Sequence, residues 1–349
     1  MRWAVLLALY LAASGGMTLL TSALHFDRDP RSCLAAMLEG SAHRPFVLRR
    51  LVPDVIGGLT RWTPSAWQAR VVEHVAQLPA PLPRLLLGRD PRVAFAHLLL
   101  VFSVWGCYLG ALWLWRALLQ MQRASRAGLL ESGLPLLALA LVYPLLNWRH
   151  GVHIYDPATL LLYSAALWAL LGGHTLLYGL IFALAVWHKE TALVLIAWWI
   201  VALSGQPSLV RWGVAGGMLL FYLGVRLGLG WLYRENAGDT LEFWLLRENL
   251  PFLASMVADF GWRHARFLLI LAVAVGLPAW GWRSKPLVLR RLMLAGLLVM
   301  GVPWLLFGIL DEFRALLELY PLWLMVCVPA GYSLPSSTAV APSGTVRRS

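Results

Sequence analysis

The chain has 349 residues, 60% of them hydrophobic and only 13% charged, with a mean hydropathy of +0.68; a soluble domain carries about twice that charged fraction. Its net charge of +12 comes almost entirely from arginine, since Lys189 and Lys285 are the only lysines. In so apolar a chain that bias reads as orientation and contact with anionic lipid, no soluble segment is built to dock nucleic acid, and the 3 cysteines exclude a disulfide framework or a zinc site.

A helix needs roughly 20 apolar residues to cross a bilayer. In chain order such stretches fall near Trp3–Ala23, Val93–Trp115, Leu129–Leu146, Pro157–Leu171, Leu176–Trp187, Ala192–Leu203, Gly213–Leu232, Phe267–Gly281, Leu292–Leu310 and Ala315–Gly331. The first is longer than a signal-peptide core and lacks a clean small-x-small site, so it is expected to remain as a span. The fifth and sixth are short and suit a tilted or partly re-entrant pair. This predicts an all-α, polytopic membrane protein with about ten transmembrane helices. Residues 1–334 form a single domain, and the Ser/Pro/Ala-rich tail 335–349 is expected to be disordered and cytoplasmic.

Orientation follows from the basic loops. Arg116, Arg123 and Arg126 follow the second stretch, Arg283, Lys285, Arg290 and Arg291 separate the eighth from the ninth, and Arg2, Arg347 and Arg348 mark the ends. With ten spans all of these share one side, the cytoplasm, together with both termini. The other face carries the long loop 24–92, a second loop 233–266, and short turns. Fifteen of the 17 acidic residues then lie on that external face, Glu318 lies within the last span, and Glu131 alone is cytoplasmic. A carboxylate at the bilayer centre costs roughly 2.5 kcal/mol or more, so acids at span ends mark that face as a place for chemistry.

The first external loop carries amphipathic helices. Leu48, Leu51, Val52, Val55, Ile56 and Leu59 share a face that excludes Arg49, Arg50 and Asp54, the pattern of a helix lying in the interface. Thr63 before Pro64 reads as a cap and first helical position. It opens a helix to Leu78, with Pro79–Pro83 as a stiff connector back to the membrane.

Four short constellations hold the candidate chemistry, and each has a structural alternative. Asp27 and Asp29, directly after the first span, can supply a general base or hold a metal, or simply mark the membrane boundary. In Asn147–Pro157, Arg149, His150 and His153 offer phosphate or metal contacts, while Asp156 before Pro157 also suits an N-cap. In His188-Lys189-Glu190-Thr191 the lysine is the only one on the external face; snorkelling is its plain alternative. In Asp311-Glu312-Phe313-Arg314, Arg314 and Glu318 form an i,i+4 pair that is either functional or a structural ion pair. The last three constellations each open an inward-running helix. Their N-termini, with Lys189, Arg149, Arg314 and the histidines, suggest a phosphate or diphosphate cradle near Asp27 and Asp29. A divalent ion at the acids stays open, since no ligand spacing is diagnostic.

The acidic pair, the stretch Arg44-Pro45-Phe46-Val47-Leu48-Arg49-Arg50-Leu51-Val52-Pro53, Tyr155-Asp156-Pro157, His188-Lys189-Glu190-Thr191 and Asp311-Glu312-Phe313-Arg314 together resemble bacterial multi-pass GT-C-type glycosyltransferases and their relatives. Their order covers nearly the whole chain. The resemblance implies transfer of a sugar from a polyprenyl phosphate or diphosphate to an acceptor, on the non-cytoplasmic face of the bacterial inner (cytoplasmic) membrane. It implies Asp27 or Asp29 as the base, and Lys189, Arg314 and His188 as phosphate ligands. Arg49, Arg149, His150, His153, Asp156 and Glu190 complete the expected substrate site. Expected partners are the polyprenyl-linked sugar, membrane lipid and other envelope-assembly proteins. Three alternatives stay open: a lipid or solute transporter using Arg226 and Glu318, a non-catalytic assembly partner, and an O-antigen-type polymerase.

Overall fold

The structure is a computed structural model that describes residues 2–25, 29–122, 129–146, 152–239 and 243–328. Asp27, Arg149, His150, Arg123, Arg126 and the tail 335–349 lie outside the described residues.

No strand occurs among the described residues. The first helices are α1 (Arg2–His25), α2 (Leu34–Glu39), α3 (Leu51–Trp62), α4 (Ser65–Ala76), α5 (Leu82–Leu87), α6 (Ala94–Gln122), α7 (Leu129–Leu146) and α8 (Asp156–Leu171). They are followed by α9 (Thr175–His188), α10 (Leu193–Ala202), α11 (Ser208–Leu232), α12 (Leu250–Ala258), α13 (Trp262–Ala279), α14 (Leu287–Phe307) and α15 (Tyr320–Cys327). Three 3-10 segments, Phe46–Leu48, Glu190–Ala192 and Phe313–Leu319, and a π-helical turn, Leu245–Asn249, sit at connections that matter for the site.

Helices α1, α6, α11, α13 and α14 are long and apolar enough to cross a membrane. The Ser132–Leu146 part of α7 and helices α8 to α10 are apolar but shorter. The 10 residues of α10 cover only about 15 Å at ~1.5 Å per residue, half of a ~30 Å hydrocarbon core. A helix that is apolar on every side is buried in protein or in lipid, and both cases occur. Most of α8 is buried. By contrast α11 and α14 leave Leu220, Leu227 and Leu298 exposed at 73, 70 and 71%, surfaces that suit acyl chains rather than water.

The core is organised around α6, which packs on α1, α7 and α8. Tyr108, Leu112 and Trp115 on α6 are fully buried, and Trp115 Nε1 donates to Ser164 Oγ of α8 at 2.8 Å. Helices α10 and α14 approach closely at Gly296, where a Cβ would lie 3.2 Å from Trp198 Nε1 of α10, and 2.6 Å from Leu319 Cδ2 of the Phe313–Leu319 segment.

Several local expectations are corrected. Thr63 is not the cap of α4 but the residue that closes α3, its hydroxyl donating to Leu59 O at 2.8 Å. Pro64, itself extended at φ −56° and ψ 137°, takes the cap position and leaves Ser65 as the first helical residue. Helix α4 stops at Ala76, short of Leu78, and Pro83 lies inside α5, which shortens the stiff connector. The apolar stripe of α3 is divided: Ile56 is fully buried, whereas Val55 and Leu59 stay exposed. Asp156 is the first residue of α8 rather than its cap, which is Tyr155. The last apolar stretch opens as the 3-10 segment Phe313–Leu319 before α15 begins.

The two long loops are tied together. Arg44 Nε donates to Asn236 O at 2.9 Å, and Arg44 N donates to Ala237 O at 2.8 Å. In return Asn236 Nδ2 donates to Gly40 O and Ala42 O at 2.7 and 2.9 Å. Gly238, with φ +86°, lies so near that a Cβ would meet Arg44 O at 2.6 Å. This clasp fixes the start of the Arg44–Pro53 stretch and so aims the arginine that follows.

Candidate functional site

A cavity of about 490 Å³ opens where the starts of α8 and of the Glu190–Ala192 and Phe313–Leu319 segments meet the first loop and the end of α14. Its polar wall carries Asp29, Arg31, Arg49, His153, Tyr155, Asp156, Lys189, Glu190, Thr191, Glu312 and Arg314. Its opposite wall is apolar, with Trp244, Met300, Trp304 and Phe307. Trp304 also lines a larger apolar groove of about 900 Å³ between α7, α13, α14 and α15.

Arg49 is held by several neighbours at once. Its Nε and Nη2 donate to the two carboxylate oxygens of Glu190 at 3.2 and 2.5 Å, and Nη1 donates to Tyr155 Oη. The guanidinium also lies 4.5 Å from the centre of the Tyr155 ring, within cation–π range. Burial opposes its charge, but Glu190 and Tyr155 outweigh that and hold its pKa above the ordinary arginine value. The next residue, Arg50, turns away to Asp54 and Met37 O. Adjacent arginines in the motif therefore have separate jobs.

His153 and Tyr155 stack with ring centres 5.1 Å apart, and Phe46 lies 5.2 Å from His153. The Asp156 carboxylate is buried, accepts from His153 N at 2.9 Å, and pairs with Arg314 Nη1 at 3.5 Å. The second carboxylate on Arg314 is its near neighbour Glu312. Lys189 Nζ lies 2.6 Å from Glu318 Oε1, which also accepts from Thr191 Oγ1 at 2.6 Å. Glu318 therefore pairs with Lys189 rather than with Arg314. A 3-10 segment has about three residues per turn, so positions i and i+4 do not share a face there.

Asp29 lines the cavity with its carboxylate engaged by Arg31, through backbone N at 3.0 Å and Nη2 at 3.0 Å. The same tripeptide, Asp-Pro-Arg, recurs at 90–92, where Asp90 accepts from Arg92 N at 3.0 Å and Nη2 at 2.7 Å. The pair is thus a local turn device that the fold happens to place at the cavity mouth in one case and on the outer surface in the other.

Of the expected site residues, Asp29, Arg49, His153, Asp156, Lys189, Glu190 and Arg314 line one cavity, while Asp27, Arg149 and His150 lie outside the described residues. His188 is a correction. It is fully buried behind Tyr155, with Nε2 2.9 Å from Thr159 Oγ1, and does not line the cavity. Asp311 also faces elsewhere, pairing with Arg263 at 2.6 Å. Arg226 meets Glu190 at 3.5 Å and donates to Leu48 O at 2.9 Å, so it braces the cavity rather than marking a separate path. Arg31 and Glu312 were missed as site residues; the repeated Asp-Pro-Arg tripeptide was the available signal for the first. Among the described residues no group of three or more His, Cys, Asp or Glu side chains is placed to hold a metal ion.

Comparison with protein-family models, with curated proteins and with solved structures finds no match to this chain.

Proposed function

We propose that this chain is a membrane glycosyltransferase of GT-C type that moves a sugar from a polyprenyl-phosphate-linked donor to an acceptor. The observation that carries the reading is the cavity in which Asp29 faces the same space as Arg49, Lys189 and Arg314, and which shares the Trp304 wall with a larger apolar groove. A donor with a charged head and a greasy tail suits such a pairing of surfaces.

In this reading about ten spans cross the bilayer, with α7 to α10 and the Phe313–Cys327 region joining the five long helices. The cavity opens to the non-cytoplasmic face of the bacterial inner membrane, and both termini are cytoplasmic. The acceptor hydroxyl gives its proton to the carboxylate of Asp29 or Asp27. Its oxygen bonds to the anomeric carbon as the bond from that carbon to the phosphate oxygen breaks. The leaving phosphate takes the electron pair, and Lys189, Arg49 and Arg314 stabilise the charge that develops on it. Arg31 positions the Asp29 carboxylate. Phe46, half-buried in the cavity wall against His153, offers an aromatic ring suited to the apolar face of a sugar.

The test is transfer by the purified protein in liposomes that contain polyprenyl-phosphate-linked sugars, read by mass spectrometry of the acceptor. Asp29→Ala, or Asp27→Ala if that is the base, is expected to abolish transfer while the donor still binds. Full activity in both variants removes the proposed base. Flux of unaltered substrate across a sealed membrane would point to a transporter instead.

A further inference from the structure

A second cationic cavity, of about 380 Å³, lies at the far ends of the same two helices. Leu193 near the start of α10 and Phe307 at the end of α14 line the polar cavity. Val201 near the end of α10 and Arg291 near the start of α14 line this one, with Ser204, Arg211, Trp212 and Leu294. Along α14 the two linings are separated by the step from Leu294 to Val299, about 8 Å at ~1.5 Å per residue.

The two cavities differ in charge balance. In the first, Arg31, Arg49, Lys189 and Arg314 are each paired with a carboxylate. In the second, Arg211 and Arg291 have no carboxylate partner among the described residues, nor has the neighbouring Arg290. Arg211 Nη1 donates to Ser204 O at 3.0 Å and its guanidinium lies 5.3 Å from the centre of the Trp212 ring. Its Nε is buried without a hydrogen-bond partner. A buried donor left unmade costs about 1–3 kcal/mol, so the cluster is incomplete without an acceptor. Apart from Ser204 the rest of the wall is apolar or aromatic. Val201 and Leu294 flank the arginines, and Leu298, 71% exposed, continues the same helix.

We propose that this cavity binds the phosphate of an anionic phospholipid whose acyl chains lie along the exposed leucines of α14. The guanidinium groups satisfy the phosphate oxygens, and the indole of Trp212 suits the headgroup level. Free phosphate would gain nothing from the apolar wall, whereas a lipid uses both surfaces. The assignment is independent of the reaction in the first cavity.

The experiment melts the purified full-length protein in neutral detergent with added phosphatidylcholine, phosphatidylglycerol or inorganic phosphate. Phosphatidylglycerol is expected to raise the melting temperature beyond the effect of phosphatidylcholine, and inorganic phosphate to leave it unchanged. In R211Q/R291Q that extra gain falls by at least half, while melting in phosphatidylcholine stays near wild type. Should the double variant not fold, R291Q alone, at an exposed position, carries the same measurement. Equal protection by the neutral lipid, an undiminished gain in the variant, or protection by inorganic phosphate alone overturns the assignment.

Discussion

The Lys189–Glu318 pair gives the sharpest test of how this protein is held together. The side chains are 7% and 0% exposed, Nζ is 2.6 Å from Oε1, and Thr191 Oγ1 donates to the same oxygen at 2.6 Å. Removing one member of such a pair strands a buried charge and costs about 3–5 kcal/mol, whereas removing both can be neutral or stabilising. K189M should therefore destabilise strongly, and so should E318Q, while K189M/E318Q should recover most of the loss. At ~2 °C per kcal/mol, the lower end of the range for large domains, each single variant should melt roughly 6–10 °C below wild type. The assay is tryptophan-fluorescence melting in detergent, for which the 19 tryptophans provide signal. Transfer activity separates the roles. If Lys189 also holds phosphate, the double variant regains stability but not activity. Single variants that melt with wild type, or a double variant no better than the worse single one, would refute the picture of a closed buried pair.

Arg49→Lys keeps the charge but loses the forked contact to Glu190 and Tyr155; transfer is expected to fall about tenfold or more, equivalent to ~1.4 kcal/mol, while a melting scan shows a folded protein. Gly238→Ala places a Cβ 2.6 Å from Arg44 O in a positive-φ residue, and should cost about 1–3 kcal/mol of local stability, read as faster proteolysis near residue 238. Glu312→Gln removes one of the carboxylates described on Arg314; binding of polyprenyl phosphate, measured by titration calorimetry, should tighten, and weaker binding would count against Arg314 as a phosphate ligand.

Much of the helical framework is written in the sequence, because an uninterrupted apolar run is a strong signal. Each of the ten apolar stretches overlaps α1, α6 to α11, α13, α14 or the Phe313–Cys327 region. The residues that meet in the cavity were also marked locally, since Asp156, Lys189, Glu190 and Arg314 all stand at the start of a helical segment. Pairing was far less legible. Glu318 looked like the partner of Arg314 because a spacing of four implies an α-helical turn, and only the 3-10 geometry there redirects it to Lys189. His188 and Lys189 are adjacent, yet one is behind the wall and the other lines the cavity. That outcome depends on where α9 stops, a boundary that composition does not resolve. The clasp of Arg44 with Asn236 joins loops almost two hundred positions apart, and no local pattern announces it.

Charge balance explains why the cavity needs so many residues of both signs. Among the described residues Asp29, Asp156, Glu190, Glu312 and Glu318 stand against Arg31, Arg49, Lys189, Arg226 and Arg314, so these ten side chains are formally neutral together. Neutrality lets the cluster form at the edge of a low-dielectric bundle, where a lone cation would be costly. A phosphate can then gain an arginine by displacing one of its carboxylates, and exposure and anchoring together decide which one. Asp156 and Glu318 are 1% and 0% exposed and fixed by further hydrogen bonds. The side chains of Glu190 and Glu312 are 35% and 18% exposed and reach the open space. Glu312 sits at a segment end with no element of its own to hold it, which makes it the carboxylate an incoming phosphate displaces from Arg314. The buried acids keep the cations in place, and the exposed ones reserve the position that an anionic substrate takes.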